Sequence, residues 1–119
     1  MNLLPNYAAA IIEDSKLLDY ALNPDNERGQ HKARVFESTL GYNLSNWLTL
    51  KQHILNNLAN HEAVFVSDTP FGQKYKVTLS LTGFNGRTED VLTIWQYDRL
   101  SSGELRPYPR LITVYVLLE

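Results

Sequence analysis

The spacing of apolar residues changes at His61, being helical before that position and alternating after it. Before His61, apolar residues recur about every three to four positions, which places them on one face of a helix. From Ala63 onward they recur at every second position, as in a strand with one buried face. The sequence therefore predicts an α+β fold in which helices come first and a sheet follows.

Two or three helices are expected in the first part of the chain. A short helix should begin near Asp14 and end at Asn23-Pro24, where proline cannot continue it. A second helix is predicted over residues 30–40, closed by Gly41 in the left-handed cap position. A third is predicted over residues 45–60, with Ser45 as its N-cap.

Four strands are expected in the remaining sequence. The first surrounds residues 64–66, the second spans residues 74–82, and the third, residues 90–98, follows the hairpin signal Asn85-Gly86. The last begins at Arg110 after a loop rich in serine, glycine and proline. Short connections predict a four-stranded antiparallel sheet with the helices packed on one of its faces.

Length and composition predict one domain, residues 1–119, with enough apolar material for a core, since 44% of its residues are hydrophobic. There is no cysteine, which removes disulfides and thiolate sites. A net charge of −2 argues against a general polyanion binder. The N-terminal residues lack the features of a signal peptide, and no apolar run is long enough to span a membrane. A cytoplasmic protein without membrane contact is expected.

The sequence contains none of the common motifs for nucleotide binding or for serine and zinc hydrolases. Its three histidines, His31, His53 and His61, are scattered without the spacing of metal ligands. We therefore expect neither a metal nor a cofactor.

One face of the predicted sheet should meet solvent, because helices that precede the sheet cover only the other. Leu92, Ile94, Ile112, Val114 and Val116 suit the covered face. The uncovered face would then carry Lys76, Thr78, Thr93, Trp95, Tyr97, Thr113 and Tyr115. Cations beside aromatic rings suit single-stranded RNA, whose bases stack on rings while its phosphates meet the cations. In the alternative interpretation, Trp95 and Tyr97 belong to the buried phase and simply pack.

The start of the second helix, His31-Lys32-Ala33-Arg34, places three basic or titratable side chains in its first turn. The helix dipole disfavours cations there, whereas free backbone N–H groups attract phosphate. His31 is a candidate general acid or base, with Lys32 and Arg34 neutralising a phosphate. The alternative is an ordinary solvated helix start in which Arg34 pairs with Glu37 or Ser38.

Lys51 is predicted to lie inside the apolar arc of the third helix. It must therefore extend its amine to solvent, pair with a carboxylate such as Glu62 or Asp68, or lose its proton easily.

Arg110 opens the last strand, close to Thr113 and Tyr115. These three side chains could clamp a phosphate, because arginine offers a rigid fork of donors. A salt bridge from Arg110 to Asp98 is the equal alternative.

A set of residues spread over nearly the whole chain resembles an uncharacterised family of small bacterial domains. The set comprises Asn6-Tyr7, Lys16-Leu17, Tyr20, Leu22-Asn23-Pro24, Gly29, His31-Lys32-Ala33-Arg34, Phe36, Leu40-Gly41-Tyr42, Trp47, Leu50-Lys51, Thr69-Pro70, Gly72, Lys74-Tyr75, Gly86-Arg87, Pro109-Arg110-Leu111, Thr113 and Tyr115. Members of that family stand alone, often beside a small partner protein, or lie at the C-termini of polymorphic toxins. The family's last strand usually ends in Tyr-Pro, whereas Val116 follows Tyr115 here.

The order of elements is also similar to the barnase–EndoU–colicin–RelE class of metal-independent ribonucleases. That resemblance implies a toxin that cleaves RNA by attack of a 2′-hydroxyl on the adjacent phosphate. The implied catalytic residues are His31, Lys32, Arg110, Thr113 and Tyr115. The expected substrate-binding residues are Arg34, Lys51 and Lys74 from the resemblance, with Lys76 and Trp95 from the uncovered sheet face. The alternative is a non-catalytic module, an immunity protein or antitoxin, that binds a small protein encoded nearby.

Overall fold

The computed structural model describes residues 1–118 of the chain. A short helix of π geometry, Lys16–Ala21, precedes two α-helices, α1 (Gln30–Leu40) and α2 (Trp47–Asn57). Single 3₁₀ turns occupy Tyr7–Ala9, Leu44–Asn46 and Leu58–Asn60. The strands are β1 (Ala63–Thr69), β2 (Gly72–Thr82), β3 (Thr88–Asp98) and β4 (Arg110–Val116).

The four strands form one antiparallel sheet in the order β1-β2-β3-β4, and the helices pack on one of its faces. This arrangement confirms the predicted α+β fold class. The sheet leaves β1 and β4 as its two edge strands. The N-terminal segment contacts both of them, because Asn2 bonds to Ala63 and Ile11 bridges to Arg110.

Helix α1 has the bounds that the sequence predicts, and two glycines explain why. Gly41 adopts a φ of 76°, the left-handed cap that ends the helix. Gly29 precedes the first turn and packs against the backbone of Tyr20, whose carbonyl oxygen would lie 2.1 Å from an added Cβ. Only glycine allows this approach, so Gly29 fixes the start of α1 against the π-helical segment.

Helix α2 begins at Trp47, later than predicted, because a separate 3₁₀ turn, Leu44–Asn46, precedes it, and Asn43, not Ser45, caps that turn. The Asn43 side chain accepts a bond from the Ser45 N–H, and the Asn46 side chain accepts one from the Asn43 N–H. Beyond the helix, His61 Nδ1 bonds to the Asn57 carbonyl at 2.9 Å, and its Nε2 accepts from the Ser80 N–H at 3.1 Å. This imidazole therefore joins the end of the helical half to β2.

The buried face of β2 is as predicted, but that of β3 is the opposite of the prediction. Val77, Leu79 and Leu81 are buried on β2. On β3 the buried phase contains Thr93 and Trp95, both 0% exposed, while Leu92 and Ile94 are only partly buried. The prediction that Thr93, Trp95 and Tyr97 form a solvent-facing platform is therefore wrong.

The hydroxyl of Thr93 explains how a polar residue occupies the core. Its Oγ1 donates to the Val77 carbonyl at 2.6 Å and accepts from Trp95 Nε1 at 2.8 Å. Both buried polar groups are thus satisfied, which removes the penalty of burying them. The large indole then fills more of the core than Leu92 or Ile94 would.

A one-residue register shift divides β4. Leu111 pairs with Trp95 and Thr113 pairs with Ile94, so Ile112 is an extra residue. Leu111, Val114 and Val116 are buried as a result, whereas Ile112 is only partly so. The prediction of Ile112 as a core residue is wrong because the shift reverses the side-chain phase at this point.

Candidate functional site

Lys32 is held between two tyrosine rings that come from different parts of the chain. Its Nζ lies 5.1 Å from the ring centroid of Tyr20, in the π-helical segment, and 5.1 Å from that of Tyr115, in β4. Both distances suit a cation–π contact, in which the negative face of a ring attracts the ammonium group. The two rings offset the unfavourable position of a cation in the first turn of α1.

A pocket of about 250 Å³ opens beside this ammonium group. We call it the Lys32 pocket, and it is lined by His31, Lys32, Val35, Tyr115, Val116 and Leu118. An imidazole, an ammonium and a phenol lie along an otherwise apolar wall. Such a pocket can receive an anion at its polar side and a ring or sugar at its apolar side.

The structure thus brings together His31, Lys32 and Tyr115 from the predicted catalytic set. Thr113 lies two residues before Tyr115 on β4, where it pairs with Ile94, and it does not line the Lys32 pocket. Tyr20 completes the lysine's surroundings and was not predicted. The residue that places Tyr20 here is Gly29. Its close approach to the Tyr20 backbone positions α1 beside the tyrosine ring.

Arg110 lies in an ion-pair network, which confirms the salt-bridge alternative. Its Nε and Nη2 donate to the two carboxylate oxygens of Asp98, each at 2.9 Å, and its Nη1 donates to Glu13 at 3.4 Å. Every nitrogen of the guanidinium has a carboxylate partner, so the group is not available as a phosphate fork. Arg110 instead ties the start of β4 to the end of β3.

The bonds from Arg110 hold the pKa of Asp98 below its ordinary value of 3.8, and a bond from Gln96 acts in the same direction. A carboxyl whose pKa is lower in the folded state stabilises the fold above its unfolded pKa. That contribution is lost as the pH falls through the lower, folded value.

Asp98→Asn is therefore expected to reduce the free energy of unfolding by about 1–2 kcal/mol at pH 7, and by progressively less as the pH falls below 3.8. Urea denaturation at pH 7 and at acidic pH measures both values. Asp90→Asn, in an exposed position of the same strand, is the matched control and should change neither. A deficit for Asp98→Asn that is equal at both pH values would contradict the proposed linkage.

The remaining predicted cations lie apart from the Lys32 pocket. Lys51 pairs with Asp14 at 2.7 Å, not with Glu62 or Asp68. Arg34 bonds to Gln30 at 3.3 Å and lines a different pocket of about 320 Å³ with Leu22 and Glu37. The sequence predictions for the partners of both cations are wrong.

Lys74 and Lys76 lie on the sheet face opposite to the core. They pair across β2 and β3 with Gln96 and Ile94, respectively. Trp95 is fully buried and donates its N–H to Thr93, so its ring is not accessible to a nucleobase. The predicted substrate-binding residues thus do not form one surface.

Two buried tyrosines outside the Lys32 pocket have raised pKa values. Burial raises the pKa of Tyr42, whose hydroxyl bonds to His53 Nδ1 at 2.6 Å. Burial, and then the charge of Tyr75, raise the pKa of Tyr97, whose hydroxyl donates to the Pro5 carbonyl. Both phenols therefore stay protonated and serve as anchors between segments.

Within the described residues, no three histidine or carboxylate side chains are grouped so that they could hold a metal ion. No helix in the same part of the chain is both long and apolar enough to cross a membrane.

A family model described as a domain of unknown function (DUF6883) matches residues 3–118. A chain of the contact-dependent growth inhibition toxin–immunity protein complex from Klebsiella pneumoniae 342 is structurally similar, with a TM-score of 0.64. The two chains are 14% identical, and the match covers 95% of this chain and 97% of the other. At this identity the likeness shows a shared fold. No curated protein matches the sequence.

Proposed function

The chain belongs to the DUF6883 family, and we propose that it is a toxin-type ribonuclease that cleaves RNA without a metal in the Lys32 pocket. The observation that carries this proposal is the ammonium group of Lys32 held between two tyrosine rings, with His31 and Tyr115 lining the same pocket. In many enzymes, a fixed charge at the place where charge develops on the substrate accounts for much of the rate enhancement. The likeness to a chain of a toxin–immunity complex is compatible with a toxin and equally with an immunity protein.

The reaction that suits these groups is transfer of a phosphoryl group within RNA. His31 takes the proton of a ribose 2′-hydroxyl, and that oxygen attacks the adjacent phosphorus. The bond from phosphorus to the 5′-oxygen breaks, and the leaving oxygen takes a proton from Tyr115, so Lys32 keeps its charge. The products are a 2′,3′-cyclic phosphate and a 5′-hydroxyl. Throughout, the Lys32 ammonium lies beside the charge that builds on the phosphate oxygens.

Because Arg110 is paired with carboxylates, it adds no positive charge to the proposed site. With that guanidinium bound by carboxylates, Lys32 is the one permanent cation of the described residues that line the pocket. A protein of net charge −2 with a single such cation lacks the electrostatic surface of a general RNA binder. We therefore expect cleavage at few sites in folded RNA, and not degradation of all RNA.

Total cellular RNA incubated with the purified chain in a chelator tests the proposal. We expect discrete fragments with 2′,3′-cyclic phosphate ends, arrest of growth when the chain is expressed, and loss of both effects in His31→Ala. End-group analysis and sequencing of the fragments measure the first effect, and growth curves measure the second. Intact RNA together with normal growth would refute the ribonuclease.

The alternative function is a non-catalytic module that binds another protein, as an immunity protein or antitoxin does. The observation that favours it is the run of exposed apolar residues on β1, Val64, Phe65 and Val66. Under this alternative RNA stays intact, and the chain co-purifies with a protein encoded by a neighbouring gene.

A further inference from the structure

Edge strand β1 exposes three consecutive apolar side chains. Val64, Phe65 and Val66 are 49%, 52% and 50% exposed. The register with β2 shifts between Phe65 and Ser67, which leaves Val66 as an extra residue. The N-terminal segment covers only the beginning of this edge, where the Ala63 N–H donates to the Asn2 carbonyl at 2.8 Å.

Apart from the bulge at Val66, the edge lacks the usual protections against pairing with another strand. Edge strands are commonly blocked by lysine, by proline or by a covering segment. The sequence of β1, AVFVSDT, contains neither lysine nor proline, and no further strand lies beyond it in the sheet that residues 1–118 form. The backbone groups on its outer side are therefore free for an extended chain, which is the ligand that such an edge recognises.

The charge of the neighbouring strand indicates what kind of chain fits. Lys76 lies beside Val64 and Lys74 lies beside Ser67, and neither lysine forms an ion pair within residues 1–118. The carboxylate of Asp68, by contrast, is neutralised by Arg99. Strands in a sheet are about 4.8 Å apart, so a strand added beyond β1 would lie about 10 Å from β2. Glutamate and lysine side chains are long enough to meet across that gap.

We propose that β1 binds an extended strand of a second protein in which apolar residues alternate with acidic ones. Its apolar residues lie on the sheet face of Phe65, and its acidic residues lie on the face of Val64, where they pair with Lys74 and Lys76. A second copy of this chain fits less well, because it would bring its own two lysines toward the same sheet face. RNA also fits less well, because β1 itself offers apolar side chains and no cation. The proposal does not rest on RNA cleavage, since the Lys32 pocket adjoins β4 at the opposite sheet edge.

Two disulfide-cyclised β-hairpin peptides provide the probe. The outer strand of the first alternates valine and glutamate, and lysine replaces each glutamate in the second. We expect the glutamate peptide to shift the NMR amide signals of β1 in the full chain. It should bind about tenfold more tightly than the lysine peptide, as two favourable pairs replacing two unfavourable ones imply.

Two variants decide the outcome. Lys74→Glu with Lys76→Glu should reverse the peptide preference, and Phe65→Lys at its exposed position should weaken both peptides while circular dichroism stays unchanged. Shifts away from β1, or a preference that survives the double charge reversal, would overturn the proposal. So would two other results: a dimer in light scattering that Phe65→Lys dissociates, or a uridine decamer that shifts the β1 signals.

Discussion

Replacing Lys32 by methionine is expected to lower the rate of RNA cleavage about 10²–10⁴-fold. Methionine keeps an unbranched apolar stem between the rings of Tyr20 and Tyr115 but removes the ammonium group. The loss of charge therefore acts on the phosphate, while packing is largely retained. The rate is measured on one RNA cleaved by the unmodified chain, under single-turnover conditions.

Two further variants separate chemistry from folding. Lys32→Arg keeps a positive charge and should retain more activity than Lys32→Met. Arg106→Ala removes an exposed cation in the loop before β4 and should leave the rate unchanged. The rate for Lys32→Met has meaning only if its urea midpoint stays close to that of the unmodified chain. Equal rates for Lys32→Met and Arg106→Ala would place the chemistry elsewhere.

Replacing Trp95 by alanine is expected to reduce the free energy of unfolding by about 3–5 kcal/mol. The indole is 0% exposed, and its removal leaves a cavity beside Thr93 and Leu111, its neighbours on β3 and β4. Such a loss is a large fraction of the stability of a typical domain. Urea denaturation followed by circular dichroism measures this loss of stability. Tryptophan fluorescence is less suitable, because the variant lacks one of the two tryptophans of the chain.

Trp95→Phe retains an aromatic ring but loses the pyrrole part of the indole and the bond from Nε1 to Thr93 Oγ1. We expect about 1–2 kcal/mol for this change. Phe84→Ala, which removes an aromatic ring that is 66% exposed, is the surface control and should change stability little. A small effect of Trp95→Ala would instead favour the solvent-facing ring that the sequence pattern predicted.

The helices and β2 were predictable because several local signals agree there. Helix α1 has an apolar face with Phe36 and Leu40, and a glycine at the position where it must end. β2 alternates lysine, threonine and serine with Val77, Leu79 and Leu81, so only one of its phases is suitable for a core.

The phase of β3 was not predictable, because both of its faces are rich in apolar residues. Leu92 and Ile94 suit a core better than Thr93 and Trp95 until the bonds of the Thr93 hydroxyl are known. Those bonds depend on the register with β2, which the sequence pattern of β3 does not fix because both of its phases are apolar.

The candidate site was predictable in part. The unusual helix start identified His31 and Lys32, and the resemblance to a bacterial family identified Tyr115. Tyr20 was missed because its contact with Lys32 exists only in the folded chain. For Arg110 the sequence left two roles open, and the geometry decides between them through the positions of Asp98 and Glu13.

The extra residue Ile112 determines the direction in which the Arg110 side chain points. Arg110 would share the inward phase of Val114 and Val116 if the strand were regular, and its charge would then point into the core. Insertion of a single position turns that charge outward and lets Leu111 take its place inside. Deletion of Ile112 alone should therefore be tolerated in selection for folded protein, because Leu111 stays opposite Trp95, Thr113 stays opposite Ile94, and Arg110 still points outward.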